Sequence, residues 1–145
     1  MRIDEIKAQY EKDCRFDPTQ LDVESLRSPE LFSKYSRIFH DERLVLQRKK
    51  MEHATLRRLK WEYYSGRLDP AVEKAKGWVP FHLKVIRQDM DIYMDADQDL
   101  QAIAAGIVLQ EEKIRVLEGI IKSIFSRQWD IKNAIEWKKF ISGTS

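Results

Sequence analysis

Residues 93–124 read YMDADQDLQAIAAGIVLQEEKIRVLEGIIKSI, and this stretch decides the fold. Tyr93, Ala96, Leu100, Ile103, Ile107, Gln110, Ile114, Leu117, Ile121 and Ile124 recur at alternating spacings of three and four. That spacing places them on one stripe of an α-helix as a sustained heptad seam, with one polar interruption at Gln110. Val108, Val116 and Ile120 widen the stripe beyond a two-stranded seam, and Ala104, Ala105 and Gly106 are small enough for close helix approach. Asp89, Asp91, Asp95, Asp97 and Asp99 crowd the N-terminal end, where acids suit the helix dipole. Ser126–Trp129 reads as a break, with Asp130 capping a final helix from Ile131 to Phe140 that Gly143 ends.

Working back toward the N-terminus, Trp78-Val79-Pro80 is extended or turn, and Phe81, Leu83 and Val85 alternate with polar residues, which suits a small β element at 81–87. Asp69-Pro70 is a capping residue followed by a first-turn proline, opening a short helix to Lys76 that Gly77 closes. Ser28-Pro29-Glu30 repeats that signal, and neither Gly nor Pro recurs before Gly66. One helix of about nine or ten turns is therefore expected from Pro29 to Tyr64, unless its charged middle, Asp41–His53, divides it. Leu21, Val23 and Leu26 lie before it in an irregular or short helical segment. Ile3, Ile6 and Tyr10 share a face of a first short helix, Ile3–Asp13, which the turn at Cys14–Pro18 ends. The class is all-α, with an N-terminal helical region (residues 1–87) and a C-terminal one (residues 88–145).

The 145 residues are one domain's worth of chain, 34% charged and 43% hydrophobic. A net charge of +2 says little about partners, but its distribution does. Residues 40–67 carry a local +4 and residues 68–118 a local −4. One cysteine, Cys14, excludes an internal disulfide and fits a reducing compartment. No apolar run is long enough to span a bilayer and the N-terminal stretch is acidic and polar, so a cytoplasmic chain without membrane attachment is expected.

The basic block ends in Glu52–Arg67, EHATLRRLKWEYYSGR. On a helix, Lys50, His53, Arg57, Lys60, Trp61 and Tyr64 fall on one face, with Leu56, Leu59 and Tyr63 opposite and Arg58 between. Cations interleaved with flat rings suit single-stranded nucleic acid, the cations tracking phosphates and the rings stacking on unpaired bases. The same residues also read as an ordinary helix end, capped at Ser65-Gly66, with basic side chains offsetting the dipole and rings in a core. The aspartate string at 89–99 lacks the central Gly and terminal Glu of a calcium loop and reads as an acidic helix start. His40, His53 and His82 are scattered, and neither a phosphate-cradling Gly-Lys loop nor a nucleophile elbow is present, so no metal, cofactor or enzymatic activity is expected.

Trp61-Glu-Tyr-Tyr-Ser-Gly-Arg67 resembles the Leu-Asp-Tyr-Tyr-Ser-Gly-Arg signature of the UvsY family, the recombination mediators of T-even-type bacteriophages. Met1-Arg2-Ile3-Asp4 is similar to that family's start, Leu31-Phe32-Ser33-Lys34-Tyr35 to its Leu-Tyr-Ser-Lys-Trp, and Ile131-Lys132-Asn133-Ala134-Ile135 to its Ile-Lys-His-Ile. The resemblance covers most of the chain. It implies a mediator that binds single-stranded DNA and loads a phage recombinase onto DNA covered by single-strand-binding protein, in the cytoplasm of the infected bacterial host. It also implies a ring-like homo-oligomer, a hexamer or heptamer. The heptad positions Leu100, Ile103, Ile107, Ile114, Leu117, Ile121 and Ile124 are where that contact is expected. A family Lys-x-Arg pair that contributes to DNA binding matches Arg58 and Lys60, with the two basic residue types exchanged. The expected DNA-binding set is Arg57, Arg58, Lys60, Trp61, Tyr64 and Arg67. The competing reading is a structural coiled-coil scaffold without nucleic-acid binding.

Overall fold

The computed structural model describes residues 1–81 and 83–143. Five helices follow in order: α1 Ile3–Asp13, α2 Leu21–Ser65, α3 Pro70–Lys76, α4 Met90–Asp95 and α5 Gln98–Ile141. The fold is all-α, with α2 and α5 at 45 and 44 residues. Packing divides the chain into two units, Met1–Leu44 with Gln110–Ser145, and Val45–Leu109. These units do not follow the 87/88 boundary, because α2 and α5 each contribute to both. No helix among the described residues is long and apolar enough to cross a membrane.

In the first unit, Leu21, Glu24, Ser28, Leu31, Tyr35 and Glu42 are all buried, at spacings of three, four and seven along α2. They face a similar stripe on α5. Ile6 of α1, Leu31, Tyr35, Leu117, Ile120 and Ile124 form the core, flanked by Tyr10, Ile38, Phe39, Val116 and Ile121. Tyr10 meets Tyr35 edge-to-face at 5.4 Å, and the Tyr35 hydroxyl donates to Asp13 at 2.8 Å, fastening the end of α1. Polar pairs fix the antiparallel register. The Gln110 amide donates to the Glu42 carboxylate at 2.6 Å, while the Arg127 guanidinium donates to Glu24 O and Ser28 Oγ, both at 2.8 Å. Polar groups at seam positions cost stability if unpaired and specify alignment if paired.

Two expected boundaries are corrected here. The helix expected from Pro29 begins at Leu21 and carries Pro29 within it. An interior proline costs about 3 kcal/mol. It is tolerated because the buried stripe starts at Leu21, and because Glu24 and Ser28, both N-terminal to the proline, are held by Arg127. The break expected at Ser126–Trp129 is absent, since α5 runs to Ile141. Neither Gly nor Pro interrupts that stretch, and Ile124, Arg127 and Ile131 continue the buried stripe at spacings of three and four.

In the second unit, α2 ends at Gly66, whose φ of 76° is left-handed and lets the Arg67 and Leu68 amides turn back to Glu62 O. Asp69 caps α3 through the Ala71 amide at 2.9 Å, with Pro70 in the first turn and Gly77 at φ 71°, as the sequence reading expects. Met90, Met94 and Leu100 form a small core with Leu56, Tyr64 and Val85. The seam does not stay in one helix at its start: Tyr93 lies in α4 and Ala96 just after it, and α5 begins only after Asp97. No strand forms at Phe81 or at 83–87, where the Val85 amide donates to Tyr64 O instead of to a partner strand. His82, both in that stretch and among the scattered histidines, lies outside the described residues.

Candidate nucleic-acid interface

The last turns of α2 present two different surfaces. Leu56, Lys60 and Tyr63, at spacings of four and three, point inward, with Lys60 and Tyr63 buried. Arg57, Arg58, Trp61 and Arg67 are exposed. The single face expected for Lys50, His53, Arg57, Lys60, Trp61 and Tyr64 is therefore split, because Lys60 shares the inward stripe with Leu56 and Tyr63.

On the outer surface the Arg67 guanidinium lies over the Trp61 ring, 5.2 Å from its centroid, and Trp61 keeps 40% of its surface exposed. The Arg58 side chain is 71% exposed and lies 3.8 Å from the Glu62 carboxylate, a pair that solvent screens. Arg57 and His53 line one wall of a cleft of about 160 Å³, with Met94, Asp95, Leu100, Gln101 and Ala104 opposite. The chemistry offered is cationic donors beside a flat ring on a rigid helix end, in open solvent.

Lys60 is only 5% exposed. Its ammonium lies 3.0 Å from Asp97 Oδ2 and 2.9 Å from Asp99 Oδ2, and 4.0 Å above the Trp78 ring. The Tyr64 hydroxyl donates to the same Asp97 oxygen at 2.7 Å, while Asp97 Oδ1 accepts the Leu100 amide at 2.9 Å and so caps α5. Burial alone would raise the Asp97 carboxyl. Hydrogen bonds from Tyr64, the Leu100 amide and Lys60, with the charge of Lys60, hold it below the ordinary carboxylate range. Burial and the Asp97 charge push the Tyr64 hydroxyl well above its usual value. The Tyr64 ring packs against Phe81 at 5.1 Å and Tyr63 at 5.1 Å, leaving it half-buried. Asp97, in sequence one acid among several at a helix start, is the group that joins these side chains.

The heptad positions are largely occupied within the chain. Leu100, Ile114, Leu117 and Ile124 are buried, and Ile103, Ile107 and Ile121 half-buried. The apolar side chains that α5 leaves exposed are others, among them Val108, Leu109, Phe125, Trp129, Trp137 and Phe140.

An all-α chain of two long helices with a basic, ring-bearing helix end belongs to a definable class. Residues 9–144 match the family described as recombination, repair and ssDNA binding protein UvsY, and the chain belongs to that family. Its fold is shared by crystal structures of the bacteriophage T4 recombination mediator protein UvsY. In lattice type IV the TM-score is 0.85 at 21% identity, covering 97% of this chain and 99% of that one. In lattice type II it is 0.85 at 20% identity, with 98% of each chain covered, and in lattice type I 0.82 at 20% identity, covering 94% and 98%. No curated protein matches by sequence.

Proposed function

We propose that this chain is a recombination mediator that binds single-stranded DNA and promotes loading of a recombinase onto DNA covered by single-strand-binding protein. The observation that carries this reading is the outer surface of the α2 end, where Arg67 lies over the exposed Trp61 ring, both within the stretch that resembles the family signature, and Arg57 and Arg58 are exposed one turn before Trp61. Arg57, Arg58 and Arg67 contact phosphates, and Trp61 stacks on a base. The chain acts as a homo-oligomer, a hexamer or heptamer, which repeats the patch. Because most heptad positions are buried within the chain, the contact between copies uses the apolar side chains α5 leaves exposed, including Trp129, Trp137 and Phe140.

Two measurements test this. Affinity for a single-stranded oligonucleotide should fall steeply with salt, as counterion release requires. Added to strands coated with single-strand-binding protein, the chain should shorten the lag before recombinase filaments form. Salt-independent or absent binding overturns the DNA reading, and an unchanged lag overturns the loading role.

A further inference from the structure

We infer that Lys60 serves DNA binding as a positioning residue, its charge spent inside the protein on Asp97 and Asp99 and not on a phosphate. The inference rests on the DNA-binding reading above and assigns a different role within the same stretch. Lys60 follows Arg58 in the basic run, but its ammonium is enclosed by two carboxylates at 3.0 and 2.9 Å and by the Trp78 ring at 4.0 Å. A strand approaching from outside would have to break both pairs to reach it, leaving Asp97 buried and uncompensated.

Asp97 is where the positioning acts. One oxygen caps the first turn of α5 and the other holds Lys60 and Tyr64 of α2. A single carboxylate therefore ties the last turns of α2 to the start of α5, and Trp61 and Arg67 lie next to that tie. Released from that tie, the α2 end loses its polar hold on α5 and opens locally more often. The strip of Arg58, Trp61 and Arg67 would then be competent for only part of the time, and apparent affinity falls by that fraction.

The salt dependence of oligonucleotide binding separates a positioning cation from a phosphate contact. Lys60→Met should weaken binding on the order of tenfold, as when about one molecule in ten is competent, and leave the slope of log affinity against log salt unchanged. Arg58→Ala, by contrast, should flatten that slope by about 0.7. The double variant Lys60→Met with Asp97→Asn should recover much of the affinity lost by Lys60→Met, because no buried carboxylate is left unpaired and Asp99 is solvated. A missing phosphate contact could not be rescued that way. Should Lys60→Met fail to fold, Tyr64→Phe carries the same comparison, losing one bond to Asp97 while keeping ring and charge, with weaker binding at unchanged slope expected. A slope flattened by about 0.7 in Lys60→Met, unaltered affinity in that variant, or no rescue in the double variant overturns the inference. If Arg58→Ala and Trp61→Ala both bind as wild type, it is the placement of the DNA surface that fails instead.

Discussion

A lysine and an arginine two positions apart, Arg58 and Lys60, meet opposite fates because of helix phase. The sequence showed their charge but not their burial. Lys60 lies four residues after Leu56 and three before Tyr63, a spacing that belongs to the inward stripe. That signal was readable, but the carboxylates that make a buried lysine tolerable lie 37 and 39 residues away at Asp97 and Asp99, and no local pattern joins them. Trp61 was legible as a ring on a basic helix and is exposed as required. Trp61→Ala should cost about 1–3 kcal/mol of oligonucleotide affinity with the salt slope nearly unchanged, measured by fluorescence anisotropy. Asp97 gives a pH prediction. Its carboxyl is held low by Tyr64, the Leu100 amide and Lys60, with Asp99 sharing the lysine. Its stabilising contribution is therefore present above the unfolded value of about 4 and is lost as pH falls through the lower folded value. Thermal melts should show wild type losing stability in acid more steeply than Asp97→Asn; equal pH dependence would remove Asp97 from that account.

Helix existence was easier to read than helix ends. The caps at Asp69-Pro70, Gly66 and Gly77 are short-range chemistry, and the structure keeps them. The start of α2 and the continuity of α5 differ from the local signals because tertiary pairing overrides them. Arg127 bonds Glu24 and Ser28, which lets α2 begin before Pro29 and draws α5 past Ser126. A proline kept in a helix for distant reasons still has its intrinsic cost. Pro29→Ala should raise stability by up to about 3 kcal/mol, seen as a higher melting temperature; a lower one would mean that Pro29 is a required kink. From Leu100 to Ile124 the seam positions lie on one helix and most are buried, but periodicity alone cannot say whether their partner belongs to the same chain. Leu117 and Ile124 are wholly buried against α1 and α2. Leu117→Asp should therefore cost several kcal/mol of folding stability and lower the helicity measured by circular dichroism. If the variant stays fully helical and only its mass falls, Leu117 lies between subunits after all.

For the molecule as a whole, the sequence carried the class through composition, few glycines and periodicity. It also carried the family through short matches whose joining residues are poorly similar. It could not carry the outward face of α5, because exposed and buried apolar residues look alike until the core is known. Trp137 and Phe140 are both exposed, their rings stacked at 5.6 Å, and Trp129 lies about two to three turns before them with Lys132 5.2 Å from its ring. Aromatic side chains left in water on a long helix suit contact with another copy. The proposed DNA surface of one chain is small: a few cations and one ring. Repeated around a closed oligomer, it lets one long strand engage several copies at high effective concentration, with a gain of about 10²–10⁴ that needs no new contact. Trp137→Glu with Phe140→Glu should then reduce the sedimenting mass while helicity persists, since neither side chain belongs to a core. Affinity for a strand short enough to occupy one patch should stay near wild type, and affinity for a long strand should collapse toward it. If mass falls but the long strand binds undiminished, each chain holds DNA alone and repetition contributes nothing. If the mass stays that of wild type, the copies meet on a surface that excludes Trp137 and Phe140.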